Sequence, residues 1–177
     1  MKNMSVRRMA FCAAVAAVYA VLTMLLAPIS YGAVQLRLSE ALCILPFFFP
    51  YTAWGLFIGC LAANLLSPVG AADIVFGSFA TLAAGLCTAG IGARGDRRSL
   101  PRCALACLPP VVFNALLVGG VLALTGAGEG ALGASFALFA LEVGAGEAAV
   151  MYAAGLPLMR LLPGTALYAH ARERLGE

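Results

Sequence analysis

The chain has 177 residues; 63% are hydrophobic, only 11% are charged, and the net charge is +3. Soluble domains average about 45–50% apolar and about 25% charged residues, so this chain cannot cover a folded surface with polar groups, and a lipid bilayer is the solvent that suits it. The length fits one membrane domain, 1–177, with no linker to divide it.

In chain order, apolar runs predict helices near 9–27, 39–50, 52–66, 73–92, 103–125 and 134–160. The first run is longer than the about 7–15 residues of a secretory signal core, so it is expected to be a retained helix. The second and third are short for a straight span of about 20 residues. Pro46 and Pro50 fall in or at the end of the second, which predicts a broken or shallow hairpin there. Pro28, Pro68 with Gly70, the Gly126–Gly130 region and Pro163–Gly164 punctuate the remainder.

The basic residues do not form a patch suited to nucleic acid. They fall in three clusters: Lys2, Arg7, Arg8; Arg94, Arg97, Arg98, Arg102; and Arg160, Arg172, Arg174. With six spans, all three clusters lie on one side, which the positive-inside rule makes cytoplasmic. The expected fold is an all-α integral membrane protein, a six-transmembrane-helix bundle in the cell membrane with both termini cytoplasmic. Arg37, in the first outside loop, is the exception.

The first helix carries three overlapping pairs of alanines at i,i+4: Ala10 and Ala14, Ala13 and Ala17, Ala16 and Ala20. Such pairs let another helix approach closely, either within the bundle or from a partner. Gly55 and Gly59 form a single GxxxG. The six cysteines, Cys12, Cys43, Cys60, Cys87, Cys103 and Cys107, sit in apolar segments without CxxC spacing and are expected to be small buried residues rather than metal ligands.

Polar residues in the apolar segments are few: Gln35, Arg37, Ser39 and Glu40; Asn64, Ser67, Asp73 and Thr81; Asn114; Glu142 and Glu147. A carboxylate or amide at membrane depth costs several kcal/mol unless it is paired or faces a cavity. Most of these groups fall in the outer half or at mid-depth, which predicts a polar pocket open to the outside. Each also has a structural reading. Arg37 and Glu40 could pair, Asn114 could clamp two helices, and Asp73 could cap the fourth helix. Glu129 is expected to be a solvated loop residue. Glu147, flanked by Gly144 and Gly146, is the hardest to explain by structure alone. No Ser/His pair, HExxH or phosphate loop is present, and the one histidine, His170, is in the C-terminal tail. The chain is therefore expected to be neither an enzyme nor an ATPase, and to need no cofactor or metal.

Several blocks together resemble the QueT family: Gly32-Ala-Val-Gln-Leu-Arg-Leu-Ser-Glu-Ala-Leu42 with Pro46-Phe47-Phe48; Asn64-Leu-Leu-Ser-Pro-Val-Gly with Asp73-Ile-Val-Phe-Gly-Ser-Phe-Ala-Thr81; Pro110-Val-Val-Phe-Asn-Ala115; and Val143-Gly-Ala-Gly-Glu147. The resemblance implies a substrate-binding (S) component of an energy-coupling factor (ECF) transporter. Its site would lie towards the outside and take queuosine precursors, 7-deazaguanine bases or queuine. It also implies a transmembrane coupling protein and two cytoplasmic ATPases as partners. The coupling protein would dock on an AxxxA face matched here by Ala10, Ala13, Ala14 and Ala17, and the S component would topple in the membrane to carry its site inward.

The residue chemistry suits such a ligand. One carboxylate, with Glu147 the first candidate, can accept both adjacent donors of a deazaguanine edge. Asn114, Gln35 or Arg37 can donate to its exocyclic oxygen. Glu40 or Asp73 can face a cationic aminomethyl group, with Asn64 close by in sequence. Phe76, Phe113 and Tyr31 are candidate walls for the ring. The competing readings are an S component for another vitamin-like heterocycle, an ion-coupled secondary transporter and a membrane enzyme. The sequence shows no convincing internal repeat for the second of these and no catalytic set for the third.

Overall fold

The computed structural model describes residues 5–31, 35–126 and 132–175, all in helices and their connections, with no strand among them. Lys2, the Gly32–Val34 part of the first family block, and Glu129 lie outside the described residues. Among the described residues, four helices are long and apolar enough to cross a membrane: α1 (Val6–Leu25), α4 (Ala71–Gly92), α5 (Leu100–Gly126) and α6 (Leu132–Gly164). Two shorter apolar helices, α2 (Leu38–Phe48) and α3 (Thr52–Asn64), stand between α1 and α4. A last helix, α7 (Ala166–Leu175), carries Arg172 and Arg174 and was not anticipated from hydropathy.

The side chains are arranged inside out relative to a soluble protein. Leu25, Trp54, Ile58, Leu65, Phe79 and Leu141 are more than half exposed, whereas Glu40, Asn64, Asp73 and Thr81 are wholly buried. Lipid explains the first set, and the cost of placing charge in hydrocarbon explains the second.

Small residues set the helix spacing. A Cβ added at Gly55 would come within 2.6 Å of the Cys12 carbonyl oxygen, and one at Gly59 within 2.7 Å of that of Ala16. The GxxxG of α3 therefore packs on Cys12 and Ala16, and because both contacts advance together α1 and α3 run parallel. The third alanine pair of α1 is partly spent on this contact. Ala10, Ala13, Ala14 and Ala17 are exposed on the opposite side of the helix.

Two parallel helices adjacent in sequence need a return segment, and α2 supplies it. Ser39 hydrogen-bonds Thr23 near the end of α1, while the Phe47 carbonyl abuts Gly92 at the end of α4. The first seven residues of α2, Leu38–Ile44, form a 3-10 helix. The larger rise of that helix lets α2 cover about 20 Å with few residues. Pro46 lies within the α-helical turn Leu45–Phe48, near its start, where a missing N–H costs little, so the expected break takes the form of this 3-10-to-α junction. In α5, Pro110 removes the donor that would serve the Ala106 carbonyl, and the Thr88 hydroxyl donates to that oxygen instead, at 3.1 Å.

The start of α1 meets the end of α7. Arg8 donates from Nε and Nη2 to the Leu175 carbonyl, at 3.2 and 3.1 Å. Arg97 and Arg98 surround a cavity with Arg160, and with Arg172 they line a second, so described residues of the basic clusters gather at one end of the bundle. Five of the cysteines are buried as expected, but Cys87 is exposed on the outer face of α4.

The α1–α3 contact yields a direct test. Gly59→Leu is expected to destabilise the purified protein by about 1–3 kcal/mol through overpacking, measured by thermal unfolding in detergent. Gly90→Leu, on a surface with nothing within 4 Å of the added Cβ, is expected to leave the transition nearly unchanged.

Candidate functional site

The buried polar residues are drawn from α1 to α6, Asn64 of α3 among them. The outer part of this set is organised around an ion pair. Arg37 Nη2 lies 3.2 Å from Asp73 Oδ2, with the two side chains 3% and 0% exposed. Arg37 thus pairs with Asp73 on α4, not with Glu40 three residues away. The cause is geometric: Arg37 precedes the 3-10 turn and extends across to α4, its Nε also donating to the Ser30 carbonyl at 3.4 Å. Its guanidinium lies over the Tyr31 ring at 5.6 Å.

Asp73 does not cap α4; Gly70, with φ of 85°, is the capping residue. Asp73 sits in the first turn, where the helix dipole favours a negative charge. Ser67 Oγ donates to Asp73 Oδ2 at 2.6 Å, and Asn64 Nδ2 donates to the Asp73 carbonyl at 3.1 Å. Gly77 makes this possible, because a Cβ there would fall 2.8 Å from Asn64 Nδ2 and 2.9 Å from Asp73 Oδ1. The Thr81 hydroxyl, one turn further, lies within hydrogen-bonding distance of the Gly77 carbonyl and of Cys60 Sγ and has one proton to give to either.

The middle of the set is Glu40. It accepts from the Tyr19 hydroxyl through Oε1 and from Cys43 Sγ, at 2.9 Å, through Oε2. Tyr19 and Cys43 were not singled out from sequence. The available signal for Tyr19 was position: it continues the Cys12–Ala16 face of α1, and a buried tyrosine hydroxyl needs a partner.

The inner part joins α5 and α6. Gly119 and Ala140 pack closely, as do Gly144 and Ala115, so the two backbones approach along this seam. Gly144 thus makes room for α5. A π-helical turn begins at Asn114, and another begins at Met151, one turn after Glu147. Such turns redirect side chains and recur at functional sites. Glu40 and Arg37 are the charged side chains that bear most on the buried Glu147 carboxyl group, and Asn114 lies within interaction range of it. Glu147 is 2% exposed and Asn114 3%. Even so, Glu147 Oε1 and Asn114 Nδ2 have no hydrogen-bond partner, and neither do Asp73 Oδ1 and Asn64 Oδ1. Leaving a buried polar atom unpaired costs about 1–3 kcal/mol. An open acceptor and an open donor on neighbouring helices suit a ligand that carries both.

The sequence predicts a pocket open to the outside, whereas these side chains are enclosed; hydrocarbon favours closing protein around charge. Gln35 is also buried, with a left-handed φ of 46° that turns the chain into α2. Phe76 does not line the set. It is 49% exposed, because it lies about 100° around α4 from Gly77 and faces outward. Phe113 is half-buried beside Asn114, and Tyr31 donates its hydroxyl to the Ala63 carbonyl at 2.6 Å. Glu142, five residues before Glu147, is only half-buried.

A sequence model of a known family, described as QueT transporter, matches residues 9–163, most of the chain. No curated protein and no solved structure matches it.

The ion pair provides the test of this geometry. Asp73→Asn, which leaves Arg37 buried and unpaired, is expected to cost about 3–5 kcal/mol of stability. The double variant Arg37→Gln/Asp73→Asn is expected to recover much of that loss. Thermal unfolding of the three proteins in one detergent checks both expectations.

Proposed function

The chain belongs to the QueT transporter family, and from that premise we propose that it is the S component of an ECF transporter for queuosine precursors, 7-deazaguanine bases or queuine. The carrying observation is the open pair formed by Glu147 Oε1 and Asn114 Nδ2. A deazaguanine edge presents ring and exocyclic N–H donors beside a carbonyl oxygen. Glu147 accepts from the donors, and Asn114 donates to the oxygen. Asp73 is better placed than Glu40 to meet a cationic substituent. Its Oδ1 is open, while both Glu40 oxygens already accept from Tyr19 and Cys43. Asn64 and Arg37 hold Asp73, and Gln35 shapes the approach to α2. Phe113 serves as a wall of the base site.

Transport needs an opening on each side in turn and a source of energy. We assign six crossings, with α2 and α3 completed by their flanking segments, and a cell-membrane location with the basic end and both termini in the cytoplasm. The exposed Ala10, Ala13, Ala14 and Ala17 form a small-residue face for a transmembrane coupling protein. Two partner ATPases power the cycle, since this chain carries no nucleotide-binding motif. The enclosed polar set fits a substrate held out of water while the subunit moves.

Substitution of Glu147→Gln tests the base site, because it places a donor opposite a donor. Losing charged hydrogen bonds worth about 1.5–3 kcal/mol weakens binding roughly 10- to 150-fold. Titration of purified protein with deazaguanine bases, beside riboflavin, thiamine and folate, is expected to show that loss and a preference for the deazaguanines. Unchanged affinity in the variant removes Glu147 from the site. Tighter binding of one of the vitamins rejects the substrate class.

A further inference from the structure

The basic end of the bundle holds a feature that the substrate site does not use. Arg97, Arg98 and Arg160 line a cavity of about 250 Å³ with Cys103, Met159 and Pro163, and no carboxylate is among the lining residues. Arg97 is fixed there, its Nε donating to the Gly92 carbonyl at 2.9 Å. A second cavity, of about 340 Å³, shares Arg97, Arg98 and Pro163 and adds Arg172, with Asp96 the one acid on its wall. Asp96 is already engaged, accepting from the Arg98 backbone N–H at 2.9 Å. Four arginines thus line two adjoining hollows, and among the described lining residues Asp96 is the one acid set against them. Like charges repel at this range, and an anion is the natural occupant.

Tyr168 also lines this second cavity, and it lines a third, of about 290 Å³, beside α1. The third is a groove walled by apolar side chains, including Phe11, Val18, Leu45, Leu158 and Leu167. Tyr168 therefore borders both a basic hollow and an oily channel. A free phosphate satisfies only the first, and an acidic protein surface leaves the second unfilled. An amphiphile fills both.

We propose that the Arg97–Arg98–Arg160–Arg172 hollow and the groove beside Tyr168 together bind one anionic phospholipid, the arginines taking its phosphate and the groove an acyl chain. Basic hollows between helices at the cytoplasmic face suit anionic headgroups, and arginine suits phosphate because its planar fork can donate two hydrogen bonds. The lipid would tie α7 to α1, α2 and α6 at the end where the start of α1 meets the end of α7.

The test uses full-length protein, stripped of lipid in neutral detergent, with bound lipid counted by native mass spectrometry. Phosphatidylglycerol is expected to bind at one molecule per chain and at least tenfold more tightly than phosphatidylcholine. Arg160→Gln is expected to weaken it about fivefold, and Arg97→Gln/Arg98→Gln/Arg160→Gln by a further about fivefold per arginine. Arg94→Gln, on a separate cavity, is expected to leave it unchanged. Leu158→Trp, which fills the groove without touching the arginines, is expected to weaken phosphatidylglycerol but not inorganic phosphate. Equal binding of the two lipids, or no loss in Arg160→Gln, overturns the proposal. So does competition by inorganic phosphate as strong as that by the lipid, which would mark a free-anion site. Should the triple variant fail to fold, the Arg160→Gln and Leu158→Trp results decide the matter.

Discussion

Charge buried in an apolar medium must be answered by other buried groups, and this molecule is built around that constraint. Arg37 and Asp73 neutralise each other out of contact with solvent. Ser67, Asn64 and the Ser30 carbonyl take up much of their remaining hydrogen-bonding capacity. Glu40 is answered by Tyr19 and Cys43. Arg37, just before α2, is tied to α4 through Asp73, and Glu40 is tied to α1 through Tyr19, while Cys43 answers from within α2. The polar set therefore fixes where α2 sits, and in doing so determines which side chains face Glu147.

Helix irregularity accompanies the polar groups at several positions. The long 3-10 run in α2, the π turns at Asn114 and Met151, and the proline of α5 with Thr88 as its substitute donor all occur in or beside the buried set. Regular α-helices would keep every backbone group satisfied in lipid. The departures are tolerable because they are buried in protein, and they aim side chains that a regular helix would send elsewhere. Against this background, atoms of Glu147, Asn114, Asp73 and Asn64, together with the Ser30 hydroxyl, are left without partners.

Much of this was legible in the sequence because hydropathy and charge placement are strong signals in a membrane chain. Helix positions came within a few residues, and the three basic clusters were grouped on one side. Of the residues that stand out as misplaced in lipid, Arg37, Glu40, Asn64, Asp73, Asn114 and Glu147 are buried, whereas Glu142 is only half-buried. What sequence could not give was pairing across distance. Arg37 and Glu40 look like partners at i,i+3, but the 3-10 turn between them and the reach to α4 favour Asp73. Phe76 is a candidate wall by residue type, yet a single helical step from Gly77 turns it outward. The GxxxG of α3 was weak as a motif and gained meaning only once Cys12 and Ala16 were seen opposite it. α7, short and polar, left no hydropathy signal.

The account rests on the claim that the openings at Glu147 and Asn114 are filled by the edge of a flat, donor-rich heterocycle. The most direct measurement is an experimental structure of the protein with a 7-deazaguanine base bound. The account predicts the base lying between α5 and α6, with its N–H edge on Glu147 Oε1 and its carbonyl oxygen on Asn114 Nδ2. A base bound elsewhere, with those two atoms turned to protein partners of their own, would contradict it.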